Sequence, residues 1–230
     1  MSRIAMCITS TYFPSSCYFP VNDPIITISR ARVHISAGEE VTIQYLSDTL
    51  PTRLRRDLIY RKWYFYCNCL RCSDATEAGT YLDALRCCKC PGSVVPRDPL
   101  SRKTDYQCDS CQDITKYEAV MKIYDKATQD AGRNIPRDKA IDHMMRFVEE
   151  YKNTLHPQNY IMLSVKMKLG CLLGNMSPSS VLHKMSAEEL EVKVDMCLEA
   201  LNVLDILDQG NVGDTGKWKT RLTREILKVQ

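Results

Sequence analysis

Apolar residues recur every three or four positions through the second half of the chain, the spacing of helices with one apolar face. The residues concerned are Tyr117, Val120, Met121 and Tyr124, followed by stretches at 141–155, 161–172, 190–204 and 218–226. Ser186 and Glu189 form the pattern of a capping box at the start of one helix. Helices of this kind, joined by short links, stack as hairpins. Residues 114–230 are therefore predicted to form a helical, tetratricopeptide-like domain, although no clean 34-residue repeat is visible.

The first sixty residues have a different pattern. Residues 25–33 are rich in β-branched types and alternate between apolar and polar, which predicts a half-buried strand. A turn at residues 36–39 separates it from a second predicted strand at residues 41–45. Pro51 suits the first turn of a helix, and a short amphipathic helix is predicted over residues 51–62. Together with the helical half, this predicts an α+β protein.

The apolar face of this short helix is predicted from two leucines. Leu54 and Leu58 lie four positions apart among arginines. In a helix this spacing puts both side chains on one face. We therefore expect the two leucines to be buried and the arginines to face solvent.

Residues 63–113 show little apolar periodicity and hold most of the cysteines. The chain has 12 cysteines, and close pairs suit tetrahedral zinc ligation better than disulfides. The net charge of +3 includes no polybasic tail, and no apolar run is long enough to span a membrane. The first residues do not have the pattern of a signal peptide. The expectation is a reducing intracellular compartment, cytoplasm or nucleus, and a metal that orders this region.

Two C-x-x-C pairs are the strongest signal in the chain. Cys87 and Cys90 are followed, 17 residues later, by Cys108 and Cys111, a spacing typical of a zinc ribbon. Four thiolates make a closed structural site with no open position for catalysis. Cys88 is an extra thiol that can replace Cys87, but C-x-C makes a different turn, so Cys87 is preferred.

A second cluster consists of Cys67, Cys69 and Cys72. Three thiolates at this spacing fill three corners of a tetrahedron, and the fourth ligand must come from elsewhere. Cys171 and Cys197 fall among leucines on helix faces and are interpreted as small core residues. The four histidines are scattered and suggest no catalytic pairing.

The order of these motifs resembles one known family. The run Gly38-Glu39-Glu40-Val41-Thr42-Ile43-Gln44-Tyr45 is similar to the closing segment of a SET domain. The run from Phe65 to Cys72 resembles the post-SET region of the SET-and-MYND family, and residues 74–81 look most like its arthropod branch, the SmydA group. The helical tail is similar to that family's C-terminal domain. The resemblance covers about residues 25–210, and the combination of both motifs in this order is specific.

The resemblance implies a protein-lysine N-methyltransferase that uses S-adenosylmethionine. It places Tyr45 at the channel where the lysine amine meets the methyl donor, with its hydroxyl orienting the amine. It places Phe65 near the adenine of the donor; packing beside the zinc is the alternative role for this side chain. It also implies that a cysteine upstream completes the zinc site of Cys67, Cys69 and Cys72, for which Cys17 is the nearest candidate and Cys7 the second.

Other features of the family were not found in these residues. No G-x-G precedes Tyr45, the N-H-S-C-x-P-N motif is absent and the MYND zinc module is missing. Residues 1–62 are thus interpreted as a remnant of the SET domain, 63–113 as the post-SET and ribbon region, and 114–230 as the helical domain. We expect the chain by itself not to bind S-adenosylmethionine.

Two functions remain in competition for this chain. One is methyltransferase by family, with a protein lysine as substrate; the other is a non-catalytic, zinc-binding protein-interaction module. Nucleic acid is not expected as a partner, because Asp98, Asp105, Asp109 and Asp113 largely offset the basic residues of the ribbon. A membrane is not expected either.

Overall fold

The computed structural model describes residues 34, 36–38, 44–173, 185–208 and 213–229. The predicted strand at residues 25–33 and the candidate ligands Cys7 and Cys17 lie outside these residues. Of the second predicted strand only Gln44 and Tyr45 are described, and their backbone is irregular.

The first helix, α1, spans Thr52–Trp63 and follows Pro51, as predicted. The prediction of its apolar face was wrong. Leu58 is 40% exposed, whereas Arg55 is 7% exposed. Arg55 is buried because its guanidinium reaches Glu77 at 3.3 Å and the hydroxyl of Thr52 at 2.9 Å. An ion pair with a distant residue therefore decides which side of α1 faces inward.

Four short strands follow and form one antiparallel sheet in the order β1-β2-β3-β4. They are preceded by one turn of helix, α2, and the bounds are α2 Leu70–Ser73, β1 Leu85–Arg86, β2 Ser93–Pro96, β3 Tyr106–Cys108 and β4 Ile114–Thr115. Val94 pairs with both Leu85 and Cys108. Cys87 directly follows β1, and Cys108 is the last residue of β3. The strand pairing therefore brings the two C-x-x-C motifs to the same end of the sheet.

The second half is helical, as predicted. Its elements are α3 Tyr117–Ala131, a 3₁₀ turn Arg137–Lys139, α4 Ala140–Tyr151, α5 Tyr160–Leu172, α6 Ala187–Leu207 and α7 Gly213–Leu227. The capping box of Ser186 and Glu189 is formed by both of its hydrogen bonds. α5 begins after Asn159, whose side chain accepts from the Ile161 N–H. The helices are present, but a tetratricopeptide-like arrangement is not shown.

The ribbon sheet and the helices share one hydrophobic cluster. Leu85, Val94 and Tyr106 from the sheet pack with Val120 and Phe147, together with other residues of α3–α5. The expectation that the metal replaces a core in residues 63–113 was therefore too simple, because this region contributes fully buried side chains. The predicted domain boundary near residue 114 stays a prediction, but residues on both sides of it contribute to this cluster.

A second cluster joins α5, α6 and α7. Leu163, Cys197, Leu204 and Leu222 belong to it, with Leu82 from the segment before β1. Because α5 contributes to both clusters, it is buried on nearly all sides. Two helices meet in a buried ion pair, since the Lys193 ammonium lies 2.9 Å from the Glu225 carboxylate.

A buried polar network marks the junction between the two halves. Asp83 accepts hydrogen bonds from the Tyr106 hydroxyl at 2.8 Å and from Arg53 at 3.3 Å. The Tyr124 hydroxyl donates to the carbonyl of Asp83 at 2.8 Å. Burial raises the pKa of Asp83, while the cation of Arg53 opposes that shift. The network thus fixes the segment before β1 against both α1 and α3.

Asp48, in the loop that follows Tyr45, accepts a hydrogen bond from the Thr215 hydroxyl at 3.1 Å. This contact joins the loop between Tyr45 and α1 to α7. None of the helices described is long and apolar enough to cross a membrane.

Candidate metal centres and the aromatic residues beside them

The four ribbon cysteines come together at one end of the sheet. The sulfurs of Cys87, Cys90, Cys108 and Cys111 all lie within 4.8 Å of one another. Cys87 and Cys111 are separated by 3.6 Å, and Cys90 and Cys108 by 3.5 Å. A tetrahedral zinc with bonds of about 2.3 Å needs sulfurs about 3.8 Å apart. The arrangement can hold one zinc ion, and the donor set fits that metal.

Backbone N–H groups donate to two of the ribbon sulfurs. The N–H of Lys89 points to the Cys87 sulfur at 3.4 Å, and the N–H of Gly92 points to the Cys90 sulfur at 3.4 Å. The hydrogen bond from Lys89 lowers the pKa of Cys87 to about 7. Gly92 has no room for a side chain, because a Cβ there would lie 2.7 Å from the Cys108 sulfur. Close packing at this glycine therefore brings the two C-x-x-C turns together.

Cys88 is exposed and is not part of the sulfur cluster. The geometry thus favours Cys87 over Cys88, as the spacing suggested. Cys171 and Cys197 are buried among apolar side chains, in agreement with their interpretation as core residues.

The post-SET cysteines also converge. The sulfurs of Cys67, Cys69 and Cys72 lie within 4.8 Å of one another, and no fourth sulfur, histidine or carboxylate joins them among the described residues. Hydrogen bonds with Cys67 and Cys72 lower the pKa of the Cys69 thiol to about 2. The contact with Cys69 raises the pKa of Cys67. The three side chains can therefore supply three corners of a zinc site.

Arg55 lies directly behind this cluster and was missed by sequence reasoning. Its guanidinium donates to the Cys72 sulfur at 3.3 Å. Arg55 is also one of two arginines that form an ion pair with the Glu77 carboxylate. Arg71 is the other, at 3.0 Å from the same carboxylate. Because a zinc–thiolate group carries negative charge, a buried guanidinium beside it is electrostatically favourable. The only hint in the sequence was the excess of arginines in α1, which does not show which of them is buried.

Glu77 is held by an unusual backbone. Glu77, Ala78 and Gly79 have φ values of 52°, 63° and 78°, in the left-handed region that non-glycine residues seldom adopt. Asp74 fixes this turn, since its carboxylate accepts from the N–H groups of Thr76 at 2.8 Å and Ala78 at 2.7 Å. The turn places the Glu77 carboxylate 2.8 Å from the Thr52 N–H, at the first turn of α1. A negative charge there interacts favourably with the helix dipole.

Tyr45 and Phe65 lie side by side. Their ring centroids are 5.2 Å apart, and Tyr45 also contacts the ring of Trp63 at 4.9 Å. Both edge-to-face arrangements are favourable for aromatic pairs. Tyr45 is 37% and Phe65 39% exposed, so both rings remain accessible. Trp63 was not singled out from the sequence, where it looks like the end of an amphipathic helix.

Comparison with known proteins gives relatives among SET-domain proteins. The chain is 28% identical over 155 residues to SET domain-containing protein SmydA-8, isoform B, of Drosophila melanogaster, which covers 66% of this chain and 34% of that protein. It is 26% identical over 134 residues to histone-lysine N-methyltransferase ASHR1 of Arabidopsis thaliana, covering 55% of this chain and 27% of that protein. No family model matches the chain.

These matches confirm the predicted relation to SET-and-MYND proteins and to their arthropod branch. The chain spans about a third of the length of the SmydA-8 proteins that it matches. The activity of the whole relatives is therefore not transferred by the matches alone.

Proposed function

We propose that this chain forms the lysine-side and post-SET part of a SET-and-MYND-type protein-lysine N-methyltransferase. The observation that carries the proposal is the contact between Tyr45 and Phe65 at 5.2 Å, with Phe65 two positions before Cys67 in the chain. The resemblance assigns these two rings to one site. The Tyr45 hydroxyl would orient the amine of a protein lysine, and Phe65 would line the donor side.

Two zinc ions are part of the proposal. One would be bound by Cys87, Cys90, Cys108 and Cys111, and the other by Cys67, Cys69, Cys72 and an upstream cysteine, with Cys17 as the first candidate. Both would be structural, since thiolates occupy all their positions. Zinc ligation would require these thiols to be reduced, which fits an intracellular location, in the cytoplasm or the nucleus.

S-adenosylmethionine would supply the methyl group. Phe65 is the described residue that the resemblance assigns to it. The 230 residues contain no G-x-G before Tyr45 and no N-H-S-C motif. We therefore propose that the chain by itself does not hold the donor, because too few contacts remain to offset the entropy cost of association.

A second candidate follows from the same sequence observation. Without a donor site, the zinc centres and the helical half would act as a non-catalytic protein-interaction module. Both candidates share the scaffold and differ in what Tyr45 does.

Calorimetry with S-adenosylmethionine and a methyl-transfer assay on lysine peptides test whether the chain by itself is catalytic. We expect no donor binding and no transfer from the 230-residue chain. Micromolar binding that Phe65→Ala abolishes, or transfer that Tyr45→Phe abolishes, would overturn the proposed lack of donor binding and exclude the non-catalytic role. Tyr64→Phe is the matched control, because Tyr64 is 81% exposed.

A further inference from the structure

A basic groove runs between α1 and the loop that joins β2 to β3. It has a volume of about 590 Å³, within the range of ligand sites. One wall is formed by Arg53, Leu54, Asp57 and Arg61 of α1, and the other by residues 99–103, including Arg102 and Lys103. Its lining includes Tyr66, which lies between Phe65 and Cys67 in the chain, but it includes neither Tyr45 nor any of the clustered cysteines.

The charges that line this groove are unbalanced. Five of the lining side chains are cationic, Arg53, Arg56, Arg61, Arg102 and Lys103, and one is a carboxylate, Asp57. Asp57 is shared between Arg61 at 2.7 Å and Arg102 at 3.6 Å. Among the described residues Lys103 forms no ion pair. Arg53 is itself paired with Asp83 at 3.3 Å, and the groove still carries a surplus of positive charge after these pairings.

The acids that appeared to neutralise this region in the sequence are used elsewhere. Asp105 pairs with Lys116 at 2.8 Å, and Asp113 pairs with Lys89 at 2.6 Å. Asp98 accepts the N–H of Leu100 at 3.0 Å and thereby shapes the loop. None of these carboxylates lines the groove.

Both walls are fixed relative to each other. Arg56 donates to the carbonyl of Cys67 at 2.8 Å and also to the carbonyl of Leu100 on the opposite wall. Asp98 N–H donates to the Thr104 hydroxyl at 3.1 Å, which closes the loop on itself. A ligand would thus meet a preformed site and would not have to order it.

We propose that this groove binds an acidic peptide segment of a protein partner. Guanidinium groups recognise carboxylates through paired hydrogen bonds, and Arg61 and Arg102 are 71% and 67% exposed in their side chains. Leu54 and Pro99 add apolar surface for the peptide between its acidic residues. The proposal does not depend on methyl transfer or on donor binding.

The lining favours a peptide over a single-stranded nucleic acid. Stacking of bases requires an open aromatic face. Tyr60 covers a face of the Tyr66 ring in a parallel stack at 4.4 Å, and the Arg56 guanidinium lies 5.3 Å from the same ring. Tyr66 therefore offers a bound base little free ring surface, and Tyr117, the other tyrosine that lines the groove, is half-buried.

The test is fluorescence anisotropy with a labelled peptide of alternating glutamate and serine, titrated with the whole zinc-loaded chain. We expect binding that weakens as salt increases, because the groove side chains are exposed. The double variant Arg102→Glu, Lys103→Glu should weaken binding by about tenfold or more. Arg146→Glu, Lys168→Glu makes the same change in charge on exposed helix positions and should leave the affinity within about twofold.

Three outcomes would overturn the proposal. The first is no binding of the acidic peptide by the unmodified chain. The second is equal weakening in both double variants, which would show a general charge effect. The third is tighter binding of a labelled oligothymidylate than of the peptide, which would assign the groove to nucleic acid. Circular dichroism of both variants checks that the fold is retained.

Discussion

The two cysteine clusters are built in opposite ways. The ribbon cluster takes all four sulfurs from two turns of one sheet, and Cys108 is fully buried where that sheet joins the helices. The post-SET cluster takes three sulfurs from a loop and one helical turn, with Cys69 exposed and Arg55 behind Cys72. The ribbon is complete within its own segment, whereas the post-SET site depends on residues from several parts of the chain.

The ribbon site is thus held by residues of its own segment, whereas the post-SET site is also held by residues distant in the chain. The ribbon should bind zinc whenever the sheet forms. The post-SET cluster should lose zinc when any one of its distant supports is removed. The variants below test this contrast, beginning with the largest expected effect.

Cys108→Ser should remove the ribbon zinc and lower the free energy of unfolding by more than about 4 kcal/mol. Cys108 is both a candidate ligand and a member of the core shared with the helices. Urea unfolding and metal analysis measure the two effects. The matched control is Cys88→Ser, which changes an exposed thiol outside the cluster and should change neither quantity. A full metal content in Cys108→Ser would contradict the ribbon assignment.

Arg55→Met should destabilise the protein by about 3 kcal/mol, the lower end of the range for breaking a buried ion pair, because Arg71 still pairs with Glu77. It should also release zinc from the post-SET cluster and leave the ribbon zinc bound. Arg61→Met removes only an exposed pair and should cost less than about 1 kcal/mol. Loss of both zinc ions in Arg55→Met would show that the two sites are not independent.

Cys69→Ser should reduce the zinc content from about two ions per chain to about one. The accompanying loss of stability should be smaller, about 1–2 kcal/mol, since Cys69 lies outside both hydrophobic clusters. Metal analysis of the purified variant gives the ratio. If unmodified protein already contains one zinc per chain, the post-SET cluster does not bind metal by itself.

A variant of His156 tests how much packing between the ribbon and the helices adds to stability beyond the metal. Burial lowers the pKa of His156 to about 4, and the nearby Arg86 adds to the shift. The unfolded chain takes up this proton near pH 6.5, so stability should be complete above that pH and fall as the pH drops towards 4. Allowing for solvent screening, the loss should be about 1 kcal/mol.

Chemical unfolding at several pH values measures this dependence. His156→Gln should flatten the curve between pH 6.5 and 4 relative to unmodified protein. His34→Gln changes an exposed histidine and controls for the loss of a histidine side chain as such. An unchanged slope in His156→Gln would mean that the thiols, and not this ring, dominate the acid sensitivity.

The sequence was informative where the determining residues are neighbours. Cys87 and Cys90 predict the ribbon because both ligands lie on one turn. Ser186 and Glu189 predict the start of α6 because a helix cap is a local structure. The five helices of the second half follow from their apolar spacing. Such features depend on residues within one turn of each other.

The sequence was misleading where the deciding contact is distant. Leu58 and Arg55 exchanged their predicted environments because Glu77, 22 positions after Arg55, lies against α1. Leu85 and Tyr106 showed no periodicity, yet helices later in the chain bury them. Lys193 lies on an apolar helix face and is buried because Glu225 neutralises it. Pattern along the chain contains no information about such partners.

The crossing of residues 82–86 over residues 154–160 has a consequence for how the molecule opens. Arg86 N–H donates to the Thr154 carbonyl at 2.9 Å, His156 N–H to the Ala84 carbonyl at 3.3 Å, and Tyr160 N–H to the Leu82 carbonyl at 2.9 Å. These hydrogen bonds connect the segment that leads into the ribbon with the segment that leads into α5, although the two are about seventy residues apart in the chain. Neither segment can separate without exposing the backbone groups of the other to solvent. The ribbon and α5 should therefore behave as one cooperative unit, or foldon. Amide protons on the crossing would then exchange with solvent only when this whole unit opens.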